Sequence, residues 1–418
     1  MPAVTDRAAA ASLDRTDPLR EYRDRFVFAP AAPIYMDGNS LGRLPRATVA
    51  ALHRLVAEDW GGRLVESWEE WIDLPQRIGA RLAPLVGAAP DEVLLADSTS
   101  ANLHRLAGAV LAALPGRRTL VTDAANFPTD RYVLAGLAQE HGAELRLVPA
   151  DAVHGPAAEQ VEAALDEDVA LVCLSHAAYR SAALADMAAI AAAAHRHGAL
   201  ILWDLSHSVG VVPIDLATSG ADLAVGCTYK YLNGGPGSPA FLFVRRELQE
   251  ALRPPLWGWF GHADQFAFED SFRPAAGISR FLVGSPPVLG LTAAGIGIDL
   301  VAEAGLEAIR AKSLAATQMM LEQYDARLAP LGMGLGTPRR PDRRGSHLAF
   351  LHPEGLALSR WLRAEGGVVA DFRPPGILRL AVSPLYTTYT EAWDAVEALA
   401  TALETGAHRH RSAGGRVT

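Results

Sequence analysis

From about residue 91 to 228 the chain alternates short apolar runs with amphipathic stretches, and this rhythm limits its folds more than any other feature. The runs at Val93–Ala96, Thr119–Thr122, Glu144–Val148, 170–174, Leu200–Asp204 and 223–228 read as strands. Between them, Leu103, Leu106, Val110, Leu111 and Leu114 recur at helical spacing, and 130–141, 157–165 and 186–197 read as helices. Gly198 stands where a left-handed residue ends a helix. Strand–helix alternation of this kind gives a parallel or mostly parallel sheet covered by helices on both faces. The predicted fold is therefore α/β, with a mostly parallel sheet sandwiched by helices. After residue 290 the pattern changes. A long helix near 290–328 leads to strands at 346–351 and 377–382 and helices at 356–364 and 390–403, which read as a smaller α+β domain.

The expected divisions are a flexible segment at 1–20, a segment at 21–60 packing on the small domain, and a large domain at 61–300. A small domain at 301–406 and a disordered tail at 407–418 complete them. With 418 residues, half of them hydrophobic, there is ample material for a large core. A net charge of −9 leaves no basic face for nucleic acid. The Arg-rich stretch 339–344 reads as a solvated loop and 408–411 as part of the tail. There is no signal-peptide pattern and no apolar run long enough for a membrane helix. Cys173 and Cys227 sit in apolar runs as small core residues, with no disulfide or zinc spacing, and the 13 histidines form no metal signature. His195 and His197 read as solvated residues at a helix end. A cytoplasmic location is the default.

Among 38 basic residues, lysine occurs only at 230 and 312. A lysine amine can lose its proton and attack a carbonyl, which an arginine cannot do. Lys312 lies in a polar helical stretch and reads as a surface residue. Lys230 lies between Tyr229 and Tyr231 at the end of an apolar run, a poor place for a merely solubilising charge.

In parallel sheets, ligands bind beyond the carboxyl ends of the strands, and four groups of polar residues fall there or in the small domain. Asp97-Ser98-Thr99-Ser100 precedes a helix, where free amides and the helix dipole can hold a phosphate; a plain helix cap is the competing reading. Asp204 and His207 end one strand and Tyr229-Lys230 another. A carboxylate beside a pyridine nitrogen and a lysine for a Schiff base are what pyridoxal phosphate needs, though a buried ion pair would place the same residues. Phe127-Pro128-Thr129-Asp130 offers a ring to stack and a carboxylate, or only a turn. Arg379, between apolar neighbours in a strand, offers a fork for a carboxylate, or only a solvent-facing charge.

Taken together, Ile-Tyr-Met-Asp-Gly-Asn-Ser-Leu-Gly at 34–42, Phe-Pro-Thr-Asp at 127–130, Asp-Leu-Ser-His-Ser-Val-Gly at 204–210, Thr-Tyr-Lys-Tyr-Leu-Asn at 228–233, Gly-Trp-Phe-Gly-His at 258–262 and Ser-Pro-Pro at 285–287 resemble the kynureninase family from about 20 to 405. The resemblance implies a pyridoxal 5'-phosphate enzyme of fold type I, whose large domain has a mostly parallel sheet of the seven-stranded type. It would cleave L-kynurenine, and by extension 3-hydroxykynurenine, to the anthranilate and L-alanine in tryptophan degradation. It implies Lys230 as the Schiff-base lysine, Asp204 at the pyridine nitrogen, Phe127 on the ring, and Thr99, Ser100, Asp130, Ser175, His207 and Tyr229 around the cofactor. Tyr229 is a candidate proton donor, tuned towards neutrality. Trp259 and Ser285 would reach the cofactor phosphate from the other subunit of a homodimer with shared sites. Arg379 would clamp the substrate carboxylate with Ser40 nearby. Gly284-Ser285 replaces a Ser-Asn found in some relatives. The missing hydroxyl points to an unsubstituted ring. The rival readings are transamination or sulfur removal on the same fold, a substituted kynurenine in a biosynthetic pathway, and a catalytically silent cofactor-binding protein. Sulfur removal needs a cysteine on a loop, whereas both cysteines fall in predicted strands.

Overall fold

The computed structural model describes residues 6–411. Its first eight strands are β1 (Ile34–Tyr35), β2 (Val93–Ala96), β3 (Thr119–Asp123), β4 (Glu144–Val148), β5 (Val169–Ser175), β6 (Leu200–Asp204), β7 (Leu223–Gly226) and β8 (Ala240–Val244). There follow β9 (Gly334–Leu335), β10 (His347–Leu351), β11 (Val368–Val369), β12 (Asp371–Arg373) and β13 (Ile377–Ala381). Strands β2 to β8 make one seven-stranded sheet in the order β2-β8-β7-β6-β5-β3-β4. Every pairing in it is parallel except the two made by β8.

Both faces of this sheet are covered, which is why its strands are continuous apolar runs rather than alternating ones. Leu95, Val172, Leu174, Ile201, Trp203 and Phe243 point into one core. Leu94, Leu171, Cys173, Leu202, Val225 and Leu242 point into the opposite one. A third core underlies a four-stranded antiparallel sheet, in the order β12-β13-β10-β9. The chain enters this second unit early: β1 pairs in parallel with β11, so residues 34–35 are stitched to 368–369.

Several expectations are corrected. The first twenty residues are not a loose segment where they are described. Arg7–Thr16 is a helix capped by Asp6, whose carboxylate accepts from the Ala9 amide at 2.8 Å. Arg7 pairs with Asp394 at 2.7 Å, and Asp14 accepts from the amide of Tyr389 at 2.6 Å. Lys312 is not on the surface: it is 5 % exposed and paired with the equally buried Asp17 at 2.7 Å. Propensity cannot reveal this, because the partner lies far away along the chain. The long helix near 290–328 is two, Val288–Ala304 and Leu306–Gln323, which break at Gly305 and diverge by 81°. No single helix among the described residues is long and apolar enough to cross a membrane.

The tail expected at 407–418 begins with a docked turn. His408 is buried and sits 3.1 Å from Glu354, and Arg411 pairs with Glu365; residues 412–418 lie outside the described part. Within the Arg-rich loop, Arg344 is fully buried, bonding Thr317, Gln318 and the carbonyl of Arg339. His195 is tied to the buried Asp222 at 2.8 Å rather than simply solvated.

Candidate active site

Parallel register brings the polar strand ends together. Ser175, the last residue of β5, pairs with Asp204, the last of β6. The Asp204 carboxylate accepts from the Ser206 amide at 2.8 Å, which fixes it just past the strand end. Asp130 lies beside it in the first turn of the helix Pro128–His141, 2 % exposed and with Oδ2 free of any partner. Burial and the neighbouring Asp204 push the Asp130 carboxyl well above the usual carboxylate range. Asn126, which sequence patterns do not single out, organises this corner. Its Oδ1 accepts from Ser175 Oγ at 2.7 Å and from the Phe127 amide at 2.8 Å.

Lys230 is 9 % exposed, and its Nζ lies 3.2 Å from Nε2 of the buried His207 and 5.9 Å from the centre of the Phe127 ring. Burial lowers its affinity for a proton, and the nearby Arg379 and Arg373 act in the same direction. The amine is thus readied as a nucleophile. Burial likewise pushes His207 far below the ordinary imidazole value, so it is neutral. Tyr229 corrects an expectation. Neighbouring Cys227 and burial push its phenol up, away from neutrality.

At the start of the helix Thr99–Ala113 the capping role falls to Ser98, whose oxygen accepts from the Ala101 amide. Thr99 and Ser100 occupy the first helical positions, whose amides have no partner within the helix. The cap is thus made by Ser98, and the amides of Thr99 and Ser100 remain without a partner in the helix. Gly38 and Gly42 explain the close approach of the 34–42 segment. A Cβ on Gly42 would collide with the Lys230 carbonyl and with Asn233, and one on Gly38 with Ser383 and Tyr386. The Gly42 amide instead donates to the Tyr229 carbonyl at 2.7 Å.

Arg379 is buried in β13, not solvent-facing. Its Nε donates to Asp371 at 2.6 Å and its Nη2 to the same carboxylate, while Nη1 donates to the carbonyl of Tyr179. Ser40 Oγ lies 3.5 Å from Nη2. Four of the five N–H groups are thus held by the protein, which leaves one on Nη1 for a carboxylate. Asp371 and His347 belong to this corner and were not found from sequence. Trp259 is 39 % exposed and packs on Phe260 and Phe266, and Ser285 is exposed. No hydrogen bond or ring contact within one chain ties either of them to Lys230 or Asp204.

A helix-covered, mostly parallel sheet with a buried lysine and aspartate beyond its strand ends defines a protein of the class-V aminotransferase type, and the family model "Aminotransferase class-V" matches residues 35–352. The fold is shared with solved cysteine desulfurases. That of Escherichia coli superposes with a TM-score of 0.78 at 19 % identity, covering 93 % of this chain and 98 % of that one. That of Thermococcus onnurineus NA1 gives 0.76 at 19 %, covering 89 % and 95 %. The model "Kynureninase C-terminal domain" matches residues 309–399. A kynureninase of Pseudomonas fluorescens is 44 % identical over 409 residues, 96 % of each chain, and one of Burkholderia mallei (strain SAVP1) is 44 % identical over 413 residues, 96 % of this chain and 97 % of that one. The chain belongs to the kynureninase family.

The residues present fit pyridoxal phosphate. A buried amine, a buried carboxylate and a ring at Phe127 stand together, with Asp130 against Asp204.

Proposed function

We propose that the protein hydrolyses L-kynurenine to anthranilate and L-alanine with pyridoxal phosphate held on Lys230. The observation that carries this reading is the buried Lys230 amine, 3.2 Å from a neutral His207, within a chain 44 % identical to kynureninases over nearly its whole length.

When bound, pyridoxal phosphate supplies an aldehyde for the substrate amine and an electron sink for the carbanion. Asp204 holds the proton on the pyridine nitrogen. Asp130, kept neutral by burial, can donate to Asp204 or to the cofactor. Phe127 and His207 would hold its ring between them, and the amides of Thr99 and Ser100 would receive its phosphate, with Ser175 and Tyr229 beside them. Arg379 would take the substrate α-carboxylate on its open Nη1 N–H, with Ser40 at its side. The Lys230 amine, once free, would remove the substrate α-proton and return it. Water adds to the side-chain carbonyl, the Cβ–Cγ bond breaks, and a proton delivered to the remaining carbon completes L-alanine. Tyr229 is our candidate for that donor: its raised pKa keeps it protonated, as a donor requires.

Trp259 and Ser285 serve the site of a partner subunit in a homodimer. The run of exposed apolar residues at Leu256, Trp257, Trp259, Phe266 and Phe268 supports such an interface. Gly284 stands where some relatives carry serine, and the hydroxyl it lacks favours the unsubstituted ring. A cytoplasmic location belongs to the same proposal; the two buried free thiols are consistent with a reducing compartment.

The test is incubation of the purified protein with pyridoxal phosphate, borohydride reduction and peptide mapping, together with product analysis. Fixation at Lys230 and equal yields of anthranilate and alanine are expected, and Lys230→Ala should lose both. An unlabelled Lys230, or products other than these two, would overturn the reading.

A further inference from the structure

His347 opens β10, where the strand register sets it across from Ala381. Arg379 faces Ala349 on the same strand pair, two positions away. His347 and Arg379 are therefore diagonal neighbours on one face of the small sheet. The His347 ring is 1 % exposed and meets His207 edge-on, with centres 6.1 Å apart and planes at 61°. It thus lies between the imidazole that touches Lys230 and the guanidinium that faces the substrate.

The His347 ring faces the backbone of Tyr179 and Arg180, and the same Tyr179 carbonyl accepts from Nη1 of Arg379. Burial and the adjacent Arg379 keep the imidazole uncharged, so it offers one donor and one acceptor without adding a third cation beside Lys230 and Arg379.

We propose that His347 is a positioning residue that sets Arg379 relative to His207, and through them the carboxylate of the substrate relative to its reacting amine. This rests on Arg379 being the carboxylate clamp. Holoenzymes carrying His347→Leu, His347→Gln and Arg379→Lys should be compared with the parent for KM, kcat and Tm. His347→Leu should raise KM for L-kynurenine about tenfold or more and change kcat less. His347→Gln, which keeps a donor and an acceptor, should recover part of the KM. Arg379→Lys should raise KM as well. If His347→Leu lowers Tm but leaves KM as it was, or if Gln does no better than Leu, the positioning role is overturned while the clamp stands. If Arg379→Lys leaves KM unchanged, the clamp falls and the inference falls with it.

Discussion

Asp371 and Arg379 stand directly opposite each other in adjacent antiparallel strands, and the carboxylate of the first takes two N–H groups of the second. Both side chains are essentially inaccessible to solvent. Removing one partner of such a pair leaves the other charge buried and alone, at a cost of about 3–5 kcal/mol. Asp371→Asn should therefore lower the denaturant midpoint and raise KM, because the guanidinium is no longer held for a carboxylate. Urea unfolding and steady-state kinetics check this. Unchanged stability and KM together would show that Arg379 is held by Tyr179 alone.

Asp130 and Asp204 lie side by side, yet opposite consequences are expected from the same substitution. Burial and the neighbouring Asp204 raise the Asp130 carboxyl well above the usual carboxylate range, which favours its neutral form. Asp130→Asn should retain cofactor binding and most activity. On the proposed reading Asp204 serves the pyridine nitrogen, so Asp204→Asn should lower kcat by roughly 10²-fold or more. Cofactor titration with kcat for both variants distinguishes them, and equal losses would contradict the assignment.

Asp123 carries a pH dependence of stability. Burial raises its carboxyl to about 6 in the folded chain, against roughly 3.9 when unfolded. The unfolded chain gives up this proton first. The contribution is thus fully present below about pH 3.9 and is lost as pH rises to about 6, by roughly 2–3 kcal/mol. Asp123→Asn should gain stability relative to the parent across that window and hold a constant margin above it. Urea midpoints from pH 4 to 7 test this; a difference that does not vary with pH would refute it.

The Lys312–Asp17 pair ties the N-terminal helical segment to the helix Leu306–Gln323. Its Nζ also donates to the carbonyl of Pro384 at 2.7 Å. Lys312→Met alone should destabilise by about 3–5 kcal/mol, and Lys312→Met with Asp17→Leu by much less, since two apolar residues can fill the same space without stranding a charge. A double-mutant cycle by calorimetry reads the coupling directly. Additive losses would mean the two residues do not act as a pair.

The sequence determined the class of fold and named most of the polar residues that the structure gathers at the strand ends. Period and apolar runs were enough to place six of the sheet strands, because local pattern decides whether a segment is a strand buried on both faces. The polar residues at their carboxyl ends followed, Lys230 and Asp204 among them. Tertiary structure alone decided the rest. β8 enters between β2 and β7 and reverses direction. Asp371 meets Arg379, His347 meets His207, and Lys312 meets Asp17. Each of these depends on which strand or helix lies next to which, and at what register. Such pairings are set by contacts between residues far apart in the chain, which local periodicity does not encode.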